Sequence, residues 1–213
     1  MHMSKGNLSI NLKVTRPFFQ YSAVRLFETI QTSLSENPPD LEISTLAYDE
    51  LKHRKKAGRA EDLFKKTNLH PIPWLKEAKE SLQNLDQPPY GRHQGHLYVV
   101  LIEGYTEING WYGAYVGSSR YRPETRFKQH NEGKNASSIV KRRGHQILHS
   151  LCWPWQTVPG AKGERILWES ALNRCLATKV PKVSGDFTLQ KEWPMDFQRP
   201  LQRVSNLKDL AKT

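Results

Sequence analysis

The chain has 213 residues, with 32 lysines and arginines against 21 aspartates and glutamates, so its formal net charge is +11. Its 37% hydrophobic content excludes a wholly disordered basic tail, and its length suits one decorated domain or two small ones. No apolar run approaches the roughly 18 residues that span a bilayer, and two cysteines are too few for a disulfide scaffold. No signal-like stretch follows Met1, so we expect a cytoplasmic protein. Excess positive charge in such a chain is typical of proteins that bind nucleic acid.

The first 94 residues are predicted to form a mainly helical extension. Apolar residues recur at helical spacing from Val24 to Leu34, Ser44 is a candidate cap for a second helix, and Pro73 is placed to begin a third. The basic stretch 52–59 is interpreted as a solvated helix face. Segment 86–91, Asp-Gln-Pro-Pro-Tyr-Gly, breaks the helical pattern, and we expect a domain boundary there.

Beyond this break the pattern changes to strands and amphipathic helices, predicted over residues 95–185. Two β-prone runs, Leu97–Ile102 and Trp111–Val116, flank a turn-rich segment and predict a hairpin. Helices are expected at 123–130, 136–143 and 164–178, with a third strand at 147–153. The fold class is therefore α+β, a small three-stranded antiparallel sheet flanked by helices. Residues 186–213 are expected to be an irregular tail that packs on or near this domain.

The positive charge is concentrated between the second and third predicted strands. Residues 118–143 hold eight basic residues and two acidic ones, a net +6 in 26 residues. The segment also contains serine, glycine and asparagine, which contact phosphates readily. The candidate nucleic-acid-binding residues are Arg120, Arg122, Lys134, Ser138, Lys141, Arg142 and Arg143.

Five residues on these elements have the chemistry of a phosphodiesterase. Tyr98 and Tyr115 lie on adjacent strands, so their phenols can share a pocket. Arg126 offers a fork of donors for a phosphate. His130 is one helical turn further on and is a candidate proton acceptor, directly or through a tyrosine hydroxyl. Glu169 supplies a carboxylate that could join waters and a phosphate around Mg²⁺.

The order of these residues resembles the GIY-YIG nuclease family over residues 95–185. The matching segments are Leu97-Tyr98-Val99, Tyr115-Val116-Gly117, Arg126 with His130, and the helical Glu169. The resemblance implies a GIY-YIG endonuclease domain that hydrolyses DNA with one Mg²⁺ or Mn²⁺, in a protein of bacterial or phage type. Glu169 would hold the metal, with Glu164 as the alternative. The chain departs from the family at His96, where the pattern has glycine two places before the tyrosine, and at Ser118, where many members carry lysine.

Several alternatives stay open at this point. The basic surface could belong to a binding module that cuts nothing, or to a nuclease of RNA or single-stranded DNA. The DNA substrate could be double- or single-stranded, and the N-terminal extension could bind a protein partner or a second copy of the chain. A zinc site is a further alternative, with His145, His149, Cys152 and Cys175 as its ligands.

Overall fold

The computed structural model describes residues 10–12, 14–83, 85, 94–104, 112–134, 136–152, 157–159 and 161–185. These residues form eight helices and five strands. In chain order they are α1 (Ala23–Leu34), α2 (Leu41–His53), α3 (Gly58–Thr67), α4 (Leu75–Leu82), β1 (Gln94–Glu103), β2 (Tyr112–Ser119), α5 (Pro123–Asn131), α6 (Ser138–Arg143), β3 (Gly144–Ile147), α7 (His149–Cys152), β4 (Val158–Pro159), α8 (Lys162–Ala177) and β5 (Val183–Ser184). In the part of the chain that is described, no helix is both long and apolar enough to cross a membrane.

The sheet confirms the α+β class but corrects the expected strand count. Strands β3, β1 and β2 lie side by side and antiparallel, as in the predicted sheet. Strand β5 then adds to β2 in parallel, and β4 pairs with the first residues of β1. The sheet is therefore mixed and not a three-stranded antiparallel one, because two-residue strands are too short to produce a sequence pattern.

Both faces of the central strand β1 are buried, which explains its unbroken apolar run. Leu97, Val99 and Leu101 face the larger core, whereas Val100 and Ile102 belong to a smaller core under α5 and α6. The larger core also takes residues from all four N-terminal helices, among them Leu26, Ile30, Leu46, Phe64 and Leu75. The N-terminal helices and the sheet thus share one hydrophobic core.

Polar contacts reinforce the packing of the N-terminal helices against the sheet. The indole Nε1 of Trp74 donates to the Tyr112 carbonyl oxygen at 3.0 Å. Gln146 of β3 accepts from the Leu41 N–H at 2.7 Å and donates to Asp40 at 3.0 Å. The proposed boundary at 86–91 lies outside the described residues, as does the tail 186–213.

One local prediction for the helices, the cap at Ser44, is wrong, and two further features of the helices were not predicted. The N-cap of α2 is Asp40, whose side chain accepts from the Ile43 N–H, and Ser44 lies inside the helix. Val24 is 69% exposed, because the buried face of α1 runs through Leu26 and Ile30 instead. Helix α3 was not predicted, since its sequence is charged and its start has no side-chain cap.

The third strand lies earlier than predicted. Residues Gly144–Ile147 form β3, while His149–Cys152 form the short helix α7 where a strand was expected. The carboxylate of buried Glu42 accepts from the N–H groups of His149 at 2.9 Å and Ser150 at 2.7 Å. A carboxylate that satisfies the free N–H groups of a first turn stabilises a helix there.

Candidate active site

The hairpin places the two tyrosines on one face of the sheet. Along β2, Tyr112, Ala114 and Val116 belong to the larger core, so Tyr115 and Gly117 face the other side. Tyr98 is the direct cross-strand partner of Gly117, and the rings of Tyr98 and Tyr115 are 6.2 Å apart between centroids. The two tyrosine rings therefore lie close together on one face of the sheet, as the sequence predicts.

Helix α5 brings its histidine against both tyrosines. Pro123 occupies the first turn, where its fixed φ favours the helix start. His130 is 1% exposed, and its ring centroid lies 6.0 Å from each tyrosine ring. Its Nε2 lies 2.9 Å from the hydroxyl oxygen of Tyr98. A buried histidine and a buried tyrosine are thus directly hydrogen-bonded.

The other ring nitrogen of His130 is held by the start of the next helix. The backbone N–H of Ser137, the N-cap residue of α6, donates to Nδ1 at 2.9 Å. The chain returns toward α5 through Gly133, which has a φ of +81° that favours glycine. Burial, followed by the charge of Arg126, lowers the pKa of His130 to about 4. His130 is therefore neutral at pH 7.

Arg126 occupies the same face of α5, one turn before His130. Its side chain is half-buried, and its Nη1 donates to the Gln129 side chain at 3.2 Å and to the Lys134 carbonyl at 3.3 Å. It also acts on Tyr98, because its positive charge favours the ionised form of that phenol. A guanidinium held in this way is oriented before any ligand arrives.

The pKa values of the two phenols are raised mainly by burial. Desolvation raises the pKa of Tyr98 far above its usual value, and Tyr98 is 1% exposed. Burial and then the negative charge of Glu169 raise the pKa of Tyr115, while the nearby hydroxyls of Tyr98 and Ser137 lower it. Tyr115 is the less buried of the two residues, so it is the one more accessible to a ligand.

The two candidate metal-binding glutamates differ sharply in environment. Glu169 lies in the middle of α8, is 6% exposed, and acts electrostatically on both Tyr98 and Tyr115. Glu164 lies in the first turn of α8 and is exposed. An acidic residue in a first turn is accounted for by the helix dipole. The buried Glu169, and not the exposed Glu164, is therefore the carboxylate whose charge acts on the tyrosines.

The seven candidate nucleic-acid-binding residues are all exposed, and they are Arg120, Arg122, Lys134, Ser138, Lys141, Arg142 and Arg143. Some of them have polar contacts within the chain. Lys134 pairs with Glu132 at 2.9 Å, Arg143 donates to the Gly104 carbonyl, and Arg142 donates to the Ser138 carbonyl at 3.2 Å. An exposed ion pair contributes little to stability and opens readily for a phosphate. The surface around α5 and α6 is thus positively charged and accessible.

The zinc alternative finds no support in the geometry. Among the described residues there is no group of three or more histidines, cysteines, aspartates or glutamates that could hold a metal ion. His145 contacts the Pro39 carbonyl oxygen at 3.0 Å, and Cys152 is buried with its sulfur accepting the Val99 N–H at 3.4 Å. Burial raises the pKa of the Cys152 thiol to about 12, which disfavours the thiolate that zinc requires.

Two residues that shape this site, Gly117 and Ser137, were not among the predicted site residues. Gly117 lies beneath the Tyr98 phenol, and a Cβ added there would meet its hydroxyl oxygen at 2.5 Å. Ser137 contacts His130 through its backbone N–H and acts on Tyr115 through its hydroxyl. The signal for Gly117 was its place in Tyr115-Val116-Gly117, and for Ser137 its position just before a predicted helix.

Comparison of the chain with models of known protein families, with curated proteins and with solved structures finds no match.

Proposed function

We propose that this protein is a metal-dependent endonuclease that hydrolyses phosphodiester bonds in DNA and that its site is of the GIY-YIG type. The observation that carries the proposal is the convergence of Tyr98, Tyr115, Arg126, His130 and Glu169 in one partly buried site. The hydrogen bond of 2.9 Å between Tyr98 and His130 joins its innermost members. Buried polar groups arranged in this way are costly to fold and are typical of catalytic sites.

The reaction determines which groups are needed. The oxygen of water forms a bond to phosphorus, the bond from phosphorus to the leaving sugar oxygen breaks, water gives up a proton, and the leaving oxygen takes one. Negative charge grows on the phosphoryl oxygens and must be neutralised by fixed donors. Arg126 is such a donor, because its guanidinium is half-buried and held by Gln129 and the Lys134 carbonyl.

The phenols of Tyr98 and Tyr115 are the groups that orient the attacking water. Tyr115 is the one that a bound phosphate or water can reach, and Tyr98 lies behind it with almost no exposed surface. Their hydroxyls orient the attacking water and relay its proton to the leaving sugar oxygen, each phenol passing on one proton as it accepts another. His130 assists from beneath, through its hydrogen bond to Tyr98.

The residues present fit one divalent cation. Glu169 offers a buried carboxylate whose charge acts on both phenols, and Mg²⁺ is commonly held by one or two carboxylates together with waters and substrate phosphate. Glu169 would hold the ion. When bound, Mg²⁺ or Mn²⁺ supplies Lewis-acid stabilisation of the phosphate and lowers the pKa of its bound water.

The exposed basic residues supply affinity for the substrate. Lys141, Arg142 and Arg143 lie in sequence on α6, directly after the loop that contacts His130. Each phosphate that such residues neutralise releases counterions, so binding weakens steeply with salt. These contacts position the backbone and do not read bases. We expect the protein to act in the cytoplasm, where Cys152 and Cys175 stay reduced.

Matched glutamate variants test the proposal. Wild type, Glu169→Gln and Glu164→Gln are incubated with duplex, single-stranded and branched DNA, and with RNA, in Mg²⁺, Mn²⁺ or chelator. We expect cleavage that needs the metal, survives in Glu164→Gln and is lost in Glu169→Gln, while Glu169→Gln still binds DNA. Cleavage of RNA alone would make the protein a ribonuclease. Binding without cleavage of any substrate would reject the enzyme in favour of a binding module.

A further inference from the structure

Ser137 is not one of the five predicted site residues, but it interacts with two of them, His130 and Tyr115. The backbone N–H of Ser137 donates to His130 Nδ1 at 2.9 Å, on the opposite side of the ring from Tyr98. The hydroxyl of Ser137 acts on the Tyr115 phenol. One residue thus bonds the histidine and influences the second tyrosine.

The backbone bond determines where the histidine carries its proton. A backbone N–H can only donate, so Nδ1 of His130 must accept and cannot hold a proton itself. The neutral imidazole has one ring proton, which then lies on Nε2. The contact of 2.9 Å between Nε2 and the Tyr98 hydroxyl oxygen is therefore donated by the histidine.

We propose that Ser137 is a positioning residue that holds His130 as the Nε2–H tautomer, so that His130 donates a hydrogen bond to Tyr98 and does not take its proton. The proposal rests on the nuclease function, and it changes one role predicted from the sequence, where His130 was the candidate proton acceptor. Both nitrogens of the neutral ring are engaged, one as acceptor from Ser137 and one as donor to Tyr98.

The direction of this bond affects the rest of the site. The Tyr98 oxygen accepts a hydrogen bond from His130, and Arg126 acts on the same phenol by favouring its ionised form. Its own proton is then free for the neighbouring Tyr115, whose pKa the Tyr98 hydroxyl lowers. Donors therefore point from the buried side of the site toward the phenol that a substrate can reach. The backbone N–H of Ser137 determines this direction, because it decides which nitrogen of His130 carries the proton.

The tautomer can be measured without any activity. In protein labelled with ¹⁵N-histidine, long-range ¹H–¹⁵N correlations distinguish the protonated ring nitrogen from the unprotonated one, and His130→Gln assigns the signals. We expect wild-type His130 to show protonated Nε2 and unprotonated Nδ1 at pH 7. Protonated Nδ1, or a charged ring with both nitrogens protonated, would overturn the proposal. The NMR measurement gives the tautomer whether or not the protein cleaves DNA. A failure of the tautomer proposal can therefore be distinguished from a failure of the proposed nuclease function.

Proline substitutions test the role of Ser137 itself. Ser137 has a φ of −65°, which proline adopts without strain, so Ser137→Pro removes the N–H donor. Ser138→Pro is the matched control for the tautomer measurement alone, since Ser138 is itself a candidate nucleic-acid-binding residue. It is the first residue of α6, where proline is tolerated. We expect a mixture of His130 tautomers and a roughly 100-fold lower kcat for Ser137→Pro, in line with the cost of misplacing catalytic groups by about 1 Å. Ser138→Pro keeps the wild-type tautomer.

Ser137→Ala keeps the proposal testable if the proline variant does not fold. It retains the backbone N–H and removes only the hydroxyl, so we expect the Nε2–H tautomer to persist. A change of tautomer in Ser137→Ala would contradict the assignment of this role to the backbone. An unchanged tautomer in folded Ser137→Pro would contradict it equally.

Discussion

The close approach of Gly117 to Tyr98 makes Gly117→Ala the sharpest test of the site geometry. A Cβ at residue 117 would lie 2.5 Å from the Tyr98 hydroxyl oxygen, 2.6 Å from its Cζ and 2.8 Å from Cε1 of Tyr115. Non-bonded carbon atoms normally stay about 3.5–4.0 Å apart. The Tyr98 ring must therefore move by about 1 Å to admit a methyl group.

That movement breaks the hydrogen bond beneath the phenol. The Tyr98 hydroxyl oxygen lies 2.9 Å from His130 Nε2, and a shift of about 1 Å takes the pair beyond hydrogen-bond distance. Overpacking costs about 1–3 kcal/mol, and a buried polar group left without its partner costs about 1–3 kcal/mol more. We expect the free energy of unfolding to fall by about 2–6 kcal/mol and the cleavage rate by about 100-fold.

Urea unfolding of Gly117→Ala beside two control variants provides the measurement. Alanine at Gly58 or Gly163 meets nothing within 4 Å, and both residues lie at helix starts, so Gly58→Ala and Gly163→Ala should be neutral or slightly stabilising. A Gly117→Ala protein as stable as these controls would show that Tyr98 does not lie over Gly117, and the geometry of the site would be wrong.

Three further predictions concern stability and binding. Hydrogen bonds from Arg16 and then Arg54 lower the pKa of the Glu50 carboxyl, so the folded state binds fewer protons than the unfolded state. The free energy of unfolding lost in Glu50→Gln should therefore shrink as pH falls below the usual glutamate pKa of about 4.3. Urea unfolding at several pH values measures this loss, and a loss that stays constant with pH would contradict the prediction. Neither amide atom of the fully buried Asn173 has a hydrogen-bond partner in the described part of the chain, so Asn173→Leu should raise the free energy of unfolding by about 1–3 kcal/mol, and a large loss would show that the amide is paired. Arg120→Ala should weaken duplex binding equally for all sequences and reduce the slope of log affinity against log salt by about one, whereas a sequence-dependent loss would indicate base contacts.

The elements that position the site were predictable because they carry strong local patterns. The hairpin of β1 and β2 follows from two β-prone runs around a turn, and its register then places Tyr98 and Tyr115 on one face. Helix α5 was predictable from Pro123 and the acidic residue in its first turn, and it places Arg126 and His130 one turn apart.

The features that sequence reasoning missed depend on distant partners. Helix α7 replaces a predicted strand because Glu42, 107 residues before His149, accepts the N–H groups of its first turn. Strand β5 has two residues and exists through its parallel pairing with β2. The contact from Ser137 to His130 uses a backbone N–H, which every residue except proline possesses, so no residue type marks it.

Conversion of supercoiled plasmid DNA in the presence of Mg²⁺ decides whether this protein is a metal-dependent endonuclease. The wild-type protein is expected to produce nicked or linear plasmid with Mg²⁺ and none with chelator, and Glu169→Gln should bind the plasmid without converting it. Intact plasmid after incubation with folded, DNA-binding wild-type protein in both Mg²⁺ and Mn²⁺, or full conversion by Glu169→Gln, would contradict the proposed mechanism.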